Sequence, residues 1–349
     1  MGDPSRDPSV AANEKRLPMS PVLRTDFAPE VVSYSDGMMQ QRRIGDLSVT
    51  AVGLGCMPLS NGRMVNLREQ ALQTIHAALD QGITLLDTAN IYAPAWDAIG
   101  HNEALVAEAL RTYTGHAPLS DLLVTTKGGI TRRPGEQWGR DSSPQALRRA
   151  CEDSLRALDV LCIDLYQHHR HDPAMTYLDQ VRALQLLKDD GLVRRIGLSN
   201  VTEAELDLAI SELGSASDGG VVSVQNELSP RYRADLDVLA RCEREGIAFL
   251  PWSPLGGATH AKDVGSRFAA FADVADAMGA TPQEVTLAWL LRMSPVMIPI
   301  PGATRPATIT SIVRSTTLEL TDEQFATLQA TTPEHTSMYP EDQPRSPLR

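Results

Sequence analysis

The chain has 349 residues, of which 42% are hydrophobic and 22% charged, an ordinary composition for a globular protein. Its formal net charge of -12 argues against general binding to nucleic acids or to anionic membranes, so neither is an expected partner. The four cysteines form no CxxC pair, and the sequence has neither an apolar leader nor an apolar run of about 20 residues, which together predict a cytoplasmic protein with reduced thiols.

The chain begins with a polar, proline-containing stretch. Residues 1–37 are expected to form a mobile N-terminal arm. The next segment, "MMQQRRIGDLSV", predicts a short hairpin beneath the following fold. Eight short apolar runs then follow, nearly continuous in apolar residues, as is typical of parallel strands covered on both faces. They are 50–55, 83–89, 122–127, 163–169, 194–200, 221–227, 247–253 and 296–302.

Helical patterns separate these runs, and several have clear start signals. Ser143 precedes Pro144 as an N-cap, while "TEAE" at 202–205 and "TPQE" at 281–284 read as capping boxes. Eight strands alternating with helices predict an α/β fold, a parallel eight-stranded (β/α)8 TIM barrel with long loops at its C-terminal face. It would form one domain over 38–330, followed by a C-terminal tail, 331–349. An open doubly wound sheet is disfavoured because no G-x-G-x-x-G follows an early strand.

Polar side chains gather at the predicted carboxyl ends of the strands, where barrels of this kind perform chemistry. Lys127 ends a buried strand and needs an anionic partner, which Asp87 on the neighbouring strand end would supply. Tyr92 lies in the loop that follows Asp87. A lysine cation beside a phenol favours its ionised form, so Tyr92 is expected to have a lowered pKa and to act as a proton donor.

Three histidines cluster in "IDLYQHHRHD", residues 163–172. His169 and His171 would share one side of a continuing strand, which raises the alternative of a metal-dependent hydrolase. Asp87 is the best further ligand, but the expected Lys127 cation beside it disfavours a divalent ion. No metal is therefore predicted.

Six motifs occur in the order and spacing of a known superfamily. They are "DTANIY", "LLVTTKGG", "IDLYQHHRHD", "RRIGLSN", "VQNELSP" and "PWSPLGG". The chain resembles the aldo-keto reductases over residues 42–315, and more narrowly their bacterial branch related to potassium-channel β-subunits. The resemblance implies a barrel enzyme that transfers hydride from the nicotinamide C4 to an aldehyde or ketone of a small molecule, an NADP-dependent carbonyl reductase or alcohol dehydrogenase.

The resemblance also implies a catalytic tetrad of Asp87, Tyr92, Lys127 and His169. Tyr92 would protonate the developing alkoxide, while Lys127, paired with Asp87, would tune that phenol. His169 stands five positions after the aspartate of "DLY", as the family histidine does, and would polarise the carbonyl oxygen. The alternative is a nucleotide-binding regulatory subunit with little turnover, in which the same residues sense the redox state of a bound cofactor.

The implied cofactor lies extended across the barrel mouth, with its nicotinamide end near the tetrad. Ser199, Asn200 and Gln225 would hold the carboxamide, since hydroxyl and amide groups match its donors and acceptors. Trp252 would stack on the nicotinamide ring, and Met57 would lie near it.

The phosphate end of the cofactor implies a second set of residues. Ser253 and Leu255 would contact the pyrophosphate, and Arg305 would bind an adenosine 2′-phosphate. Ser311 and Ile312 stand where the family often has a Glu–Asn pair for the adenine. NADPH is therefore the expected cofactor, with NADH as the alternative.

Substrate specificity is expected in the loops. Trp96 in the 93–103 loop and Trp138 in the 131–141 loop are candidate walls of an apolar pocket. His171, Leu228 and the tail at 335–343 would also reach this pocket. The sequence identifies neither the carbonyl substrate nor the oligomeric state.

Overall fold

The central feature of the computed structural model, which describes residues 39–340, is a parallel sheet surrounded by helices. The N-terminal arm predicted over 1–37 lies outside the described residues, as does the tail from 341 onward. The strands are β1 Gln41–Ile44, β2 Leu47–Thr50, β3 Leu54–Gly55, β4 Leu85–Asp87, β5 Leu123–Gly128, β6 Ile130–Arg133, β7 Gln137–Arg140, β8 Leu165–His168, β9 Ile196–Ser199, β10 Val221–Gln225 and β11 Ala248–Phe249.

Seven strands form one parallel sheet in the order β11, β10, β9, β8, β5, β4, β3. These seven match the first seven predicted strands. The eighth predicted run, 296–302, is not a regular strand, yet its backbone hydrogen-bonds to both edges of the sheet. Phe249 on β11 bridges to Met297, and Gly55 on β3 bridges to Gly302. The sheet is therefore curled until its two edge strands lie on either side of one segment.

Helices follow the strands, as parallel crossovers require. They are α1 Arg68–Asp80, α2 His101–Thr112, α3 Pro144–Leu158, α4 Tyr177–Asp189, α5 Glu203–Leu213, α6 Leu236–Glu245, α7 Val264–Arg267, α8 Ala269–Met278, α9 Pro282–Met293, α10 Pro306–Ser315 and α11 Asp322–Gln329. The predicted start signals are confirmed: Ser143 caps α3, and the boxes at Thr202 and Thr281 open α5 and α9. No helix within 39–340 is long and apolar enough to cross a membrane.

The apolar core has two parts. The larger cluster contains apolar residues from both strands and helices, whereas the smaller one contains residues near the amino ends of the strands, such as Leu85, Leu123 and Leu165. The antiparallel β1–β2 hairpin contributes Ile44 and Val49 to this smaller cluster. The amino end of the sheet is thereby filled with apolar side chains, which leaves the carboxyl end for polar groups.

One connection differs from its predicted form. Residues 131–141 are predicted as a loop that carries the candidate pocket residue Trp138, whereas in the structure β6 and β7 pair as an antiparallel hairpin. This hairpin begins two residues after β5 ends at Gly128, and it stands at the carboxyl end of the sheet. Its backbone N–H and C=O groups are paired between the two strands, which restrains the hairpin more than an irregular loop would be restrained.

Candidate active site

A buried ion pair lies at the carboxyl ends of β4 and β5. The Nζ of Lys127 donates to Asp87 Oδ1 at 2.9 Å and Oδ2 at 2.7 Å, and to the carbonyl oxygen of Thr88 at 2.8 Å. The Lys127 side chain is fully buried. Burial disfavours its charge, but the Asp87 carboxylate and the Tyr92 phenol outweigh that effect and raise its pKa. Lys127 is therefore a fixed cation held by three oxygens.

The phenol of Tyr92 completes this arrangement. Its oxygen lies 3.3 Å from Lys127 Nζ, and the ammonium group also lies 4.9 Å from the centre of its ring. The expected lowering of the Tyr92 pKa is wrong for this structure, because burial raises the pKa more than Lys127 lowers it. The phenol is thus neutral and protonated at neutral pH, with a cation beside the oxygen that would carry charge after proton transfer.

The three histidines have different surroundings. His169 lies edge-on to Tyr92, with ring centres 5.9 Å apart, and burial together with the Lys127 charge depresses its pKa well below the usual range. Its Nδ1 is buried without a hydrogen-bond partner in the described part of the chain. A neutral imidazole beside Tyr92 offers hydrogen bonding without a second positive charge.

The other two histidines contact different groups. His168 is fully buried with its Nε2 2.8 Å from Ser142 Oγ, and burial lowers its pKa to about 4, which is typical of a structural histidine. His171 Nδ1 lies 2.5 Å from Glu205, and its ring packs against Tyr177. These contacts join His171 to the first turns of α4 and α5, so they do not bring it to Tyr92.

A network of amide and hydroxyl groups adjoins the ion pair. Gln225 Nε2 donates to Asp87 Oδ1 at 2.8 Å, and Ser199 Oγ donates to the Gln225 carbonyl oxygen at 2.8 Å. Asn200, in the left-handed region at φ +58°, bonds to Ser199 Oγ and to the carbonyl oxygen of His169, and it accepts from Trp252 Nε1 at 3.1 Å. The structure thus brings these four predicted residues together beside the tetrad.

The remaining residues predicted to contact the cofactor lie at or near the surface. Met57 is exposed beyond β3, and Ser253 and Leu255 are partly exposed in the segment after β11. Arg305 is exposed at the N-cap of α10. Beyond it, Ser311 Oγ donates to Glu284 at 3.0 Å and Ile312 is buried. The positions where the family often has a Glu–Asn pair are therefore engaged within the fold.

The candidate substrate residues divide into two groups. Trp96, in the loop that follows Tyr92, is 38% exposed, and Trp138, on β7 of the hairpin, is 59% exposed. Leu228 is fully buried in the larger core cluster, so in this conformation it offers no surface to a substrate. The tail does reach the site, because the Tyr339 ring lies 5.6 Å from that of Trp252.

Two further residues near the site, Glu227 and Arg132, were not predicted from the sequence. Glu227 is 2% exposed and anchors the tail, accepting from Ser337 Oγ at 2.7 Å and from the backbone of Met338 at 3.1 Å. Arg132 bonds to the loop that carries Tyr92. Glu227 stands in "VQNE" at a strand end, and this position could have indicated a role at the site. The hydrogen bonds of Arg132 form only when the hairpin folds, so no sequence pattern indicates them.

The parallel sheet is curled and surrounded by helices, and the Lys127–Asp87 pair and the Tyr92 phenol lie at its carboxyl end. Enzymes with a TIM-barrel fold have their active sites at this end of the sheet. The aldo/keto reductase family model matches residues 51–332, and the chain belongs to this family. It is an oxidoreductase family, and the fold is of the TIM-barrel kind. The narrower likeness to the branch related to potassium-channel β-subunits stays a prediction.

Individual relatives agree with this assignment. An uncharacterised oxidoreductase of Schizosaccharomyces pombe is 33% identical, covering 82% of this chain and 88% of the relative. Pyridoxine 4-dehydrogenase of Escherichia coli is 32% identical, covering 82% and 96%. Among solved structures, an aldo/keto reductase of Klebsiella pneumoniae in complex with NADP and acetate matches with a TM-score of 0.69 and 25% identity, covering 85% of this chain and 96% of that one.

Proposed function

We propose that this protein is an NADPH-dependent carbonyl reductase that converts an aldehyde or ketone of a small molecule to an alcohol. The observation that carries the proposal is the Tyr92 hydroxyl, 3.3 Å from a Lys127 cation that is itself fixed by Asp87. A protonated phenol held beside a buried positive charge is suited to give its proton to an oxygen that becomes negative during reaction.

The residues around this centre fit a nicotinamide cofactor. Ser199, Asn200 and Gln225 carry the hydroxyl and amide groups that a carboxamide needs, and they lie with Trp252 in one hydrogen-bonded network beside Asp87. Two structures of aldo-keto reductases from Klebsiella pneumoniae, one in complex with NADP and one with NADPH, support the same assignment. When bound, the cofactor supplies hydride to the carbonyl carbon.

The phosphates of this cofactor would meet a second group of residues. Ser253 and Leu255 would contact the pyrophosphate, and the exposed guanidinium of Arg305 would bind the 2′-phosphate that distinguishes NADPH from NADH. We also infer that 296–302 is the eighth strand of a closed (β/α)8 barrel, an inference supported by its hydrogen bonds to both β3 and β11. That closure would bring Arg305 and α10 to the same end of the sheet as Tyr92.

Each member of the tetrad would have a separate task. Tyr92 donates the proton, and Lys127 stabilises the phenolate that remains. Asp87 balances the charge of Lys127, which would otherwise be buried alone. His169 is neutral, so it would orient the carbonyl oxygen by hydrogen bonding without competing as an acid.

The substrate is expected to bind between the exposed aromatic residues of the neighbouring loops. Trp96 and Trp138 would provide apolar walls for a flat or aromatic carbonyl compound. The similarity to pyridoxine 4-dehydrogenase makes pyridoxal a sensible first aldehyde to assay. A panel of pyridoxal, a simple aromatic aldehyde, an aliphatic aldehyde and an aldose would locate the preferred class.

The proposal is tested by Tyr92→Phe, which removes only the phenolic oxygen. Turnover with the best aldehyde is expected to fall by about 10²- to 10⁴-fold, the usual contribution of a proton donor. The Kd of NADPH, measured by quenching of protein fluorescence, should stay within a few-fold of the wild-type value. Unchanged turnover would contradict the proposal, and tight NADPH binding without turnover in the wild-type protein would favour a regulatory subunit.

A further inference from the structure

The side chain of Arg132 is bonded to the backbone on both sides of Tyr92. From β6, its Nη1 donates to the carbonyl oxygen of Ala93 at 2.7 Å and to that of Ile91 at 3.3 Å. These carbonyls belong to the residues immediately before and after Tyr92. One guanidinium nitrogen therefore holds the Ile91–Tyr92 peptide unit and the Ala93–Pro94 peptide unit, which lie on the two sides of Tyr92.

Glu136, in the turn of the same hairpin, holds this guanidinium in place. Its Oε2 accepts from Arg132 Nη2 at 2.5 Å, while its Oε1 accepts from the backbone N–H of Trp96 at 2.9 Å. Glu136 adopts φ +59°, a left-handed conformation that is unfavourable for a residue with a side chain and is kept only where the surroundings require it. The carboxylate thus ties the hairpin to a second point of the Tyr92 loop.

Arg132 itself is shielded from any reactant. Its side chain is 6% exposed, and its guanidinium lies 4.6 Å from the centre of the Trp138 ring. Its Nε is buried as well. The guanidinium is enclosed by Trp138, Glu136 and two carbonyl oxygens. It therefore acts on the site only indirectly, by holding the loop that carries Tyr92.

The hairpin also continues directly from the strand that carries Lys127. Ile130, the first residue of β6, follows Lys127 by three positions, so the hairpin links the lysine strand to the tyrosine loop. The separation of 3.3 Å between Tyr92 OH and Lys127 Nζ therefore depends on elements that Arg132 joins.

We propose that Arg132, held by Glu136, is a positioning residue that fixes the Tyr92 phenol against Lys127. The inference rests on the proposed function, since it assigns a task only if Tyr92 is the proton donor. The expected effect is large because a displacement of about 1 Å in reacting groups is enough to cost roughly 100-fold in rate. The backbone of Trp96 bonds to Glu136, and the Trp138 ring packs on Arg132. Arg132 and Glu136 therefore also position the two tryptophans that are candidate walls of the substrate pocket.

The test compares Arg132→Met with Arg133→Met. Methionine keeps much of the length and the apolar stem of arginine but donates no hydrogen bond, and Arg133 is the exposed neighbour on the same strand. In Arg132→Met we expect kcat to fall by about 10- to 100-fold, with the Kd of NADPH changed less than threefold, while Arg133→Met behaves like the wild type. Arg132→Lys should recover part of kcat because an ammonium group still reaches a carbonyl.

A double variant separates this inference from the proposed function. If Tyr92→Phe turns over normally, the proposed function fails, whatever Arg132 does. If Tyr92→Phe is inactive and Arg132→Met turns over like the wild type, only the positioning role is wrong. If both single variants lose turnover, adding Arg132→Met to Tyr92→Phe should cause little further loss, because the phenol that Arg132 positions is already gone. A full additional loss would contradict the inference.

Glu136→Gln provides a second route if Arg132→Met does not fold. The amide keeps one acceptor and the size of the side chain but removes the charge that holds Arg132, and this side chain is 47% exposed, so folding should survive. We expect kcat to fall by about two- to tenfold with an unchanged Kd for NADPH. A loss of NADPH binding that matches the loss of kcat in either variant would overturn the positioning role.

Discussion

At the scale of single residues, the protonation state of Tyr92 is decided by two opposing effects. The Lys127 cation lowers its pKa, but burial of the phenol raises it more, so the net direction is upward from the ordinary value of about 10. The neutral phenol is the acid form, and a raised pKa keeps it protonated where an exposed tyrosine would begin to ionise. If Tyr92 is the proton donor, as we propose, it therefore keeps its proton across the whole neutral range.

This direction predicts the pH dependence of the reaction. With an aldehyde that has no ionisable group, kcat for reduction should stay level through the neutral range, and its decline, as Tyr92 loses its proton, should be centred above the ordinary tyrosine value of about 10. Stopped-flow or steady-state assays over this range would measure it, with tryptophan fluorescence as a control for unfolding. A decline centred below about pH 10 in folded enzyme would show that Lys127 outweighs burial.

At the scale of secondary-structure elements, sequence patterns predicted the strands and helix starts that local residue patterns determine. The apolar runs located seven strands of the sheet, and the Ser143, Thr202 and Thr281 signals located the starts of three helices. The β6–β7 hairpin was missed because none of its strand residues is buried, so the strands have no alternation of buried apolar residues to reveal them. The pairing of His171 with Glu205 was missed because the two residues are 34 positions apart and meet only after folding.

The α5 capping box allows an element-scale prediction. Thr202 Oγ1 accepts from the Glu205 N–H at 3.2 Å, and Glu205 Oε2 accepts from the Thr202 N–H at 2.8 Å. Thr202→Ala is expected to lower the free energy of unfolding by about 1 kcal/mol, since an unpaired N–H remains at the helix start. Thr202→Ser keeps the hydroxyl and is the control. Urea unfolding measures both, and equal stability of the alanine variant and the wild type would show that the box contributes nothing.

At the scale of the whole molecule, the edge strand β3 meets the 296–302 segment at a glycine. The N–H of Gly55 on β3 donates to the carbonyl oxygen of Pro301 at 3.0 Å, and a Cβ at this position would lie 2.7 Å from the carbonyl oxygen of Ile300. The atoms nearest to such a Cβ are all backbone atoms of residues 300–302, so no flexible side chain can move aside. The close approach of β3 to this segment thus requires a residue without a side chain.

Gly55→Ala should therefore weaken the contact that joins the first and last segments of the sheet. We expect a loss of about 1–3 kcal/mol in the free energy of unfolding, the usual cost of forcing an extra carbon into a packed region. Gly139→Ala is the matched control, because its Cβ would meet only the Thr131 hydroxyl, at 3.0 Å on the β6–β7 hairpin, and should change stability by about 0.5 kcal/mol or less. Denaturant unfolding of the two variants compares the sites directly. Because the methyl group at Gly55 acts on the 296–302 segment, which bonds to both edge strands, its effect should appear as one cooperative shift of the whole transition. An early partial transition would mean that this segment separates from β3 independently of the rest of the sheet.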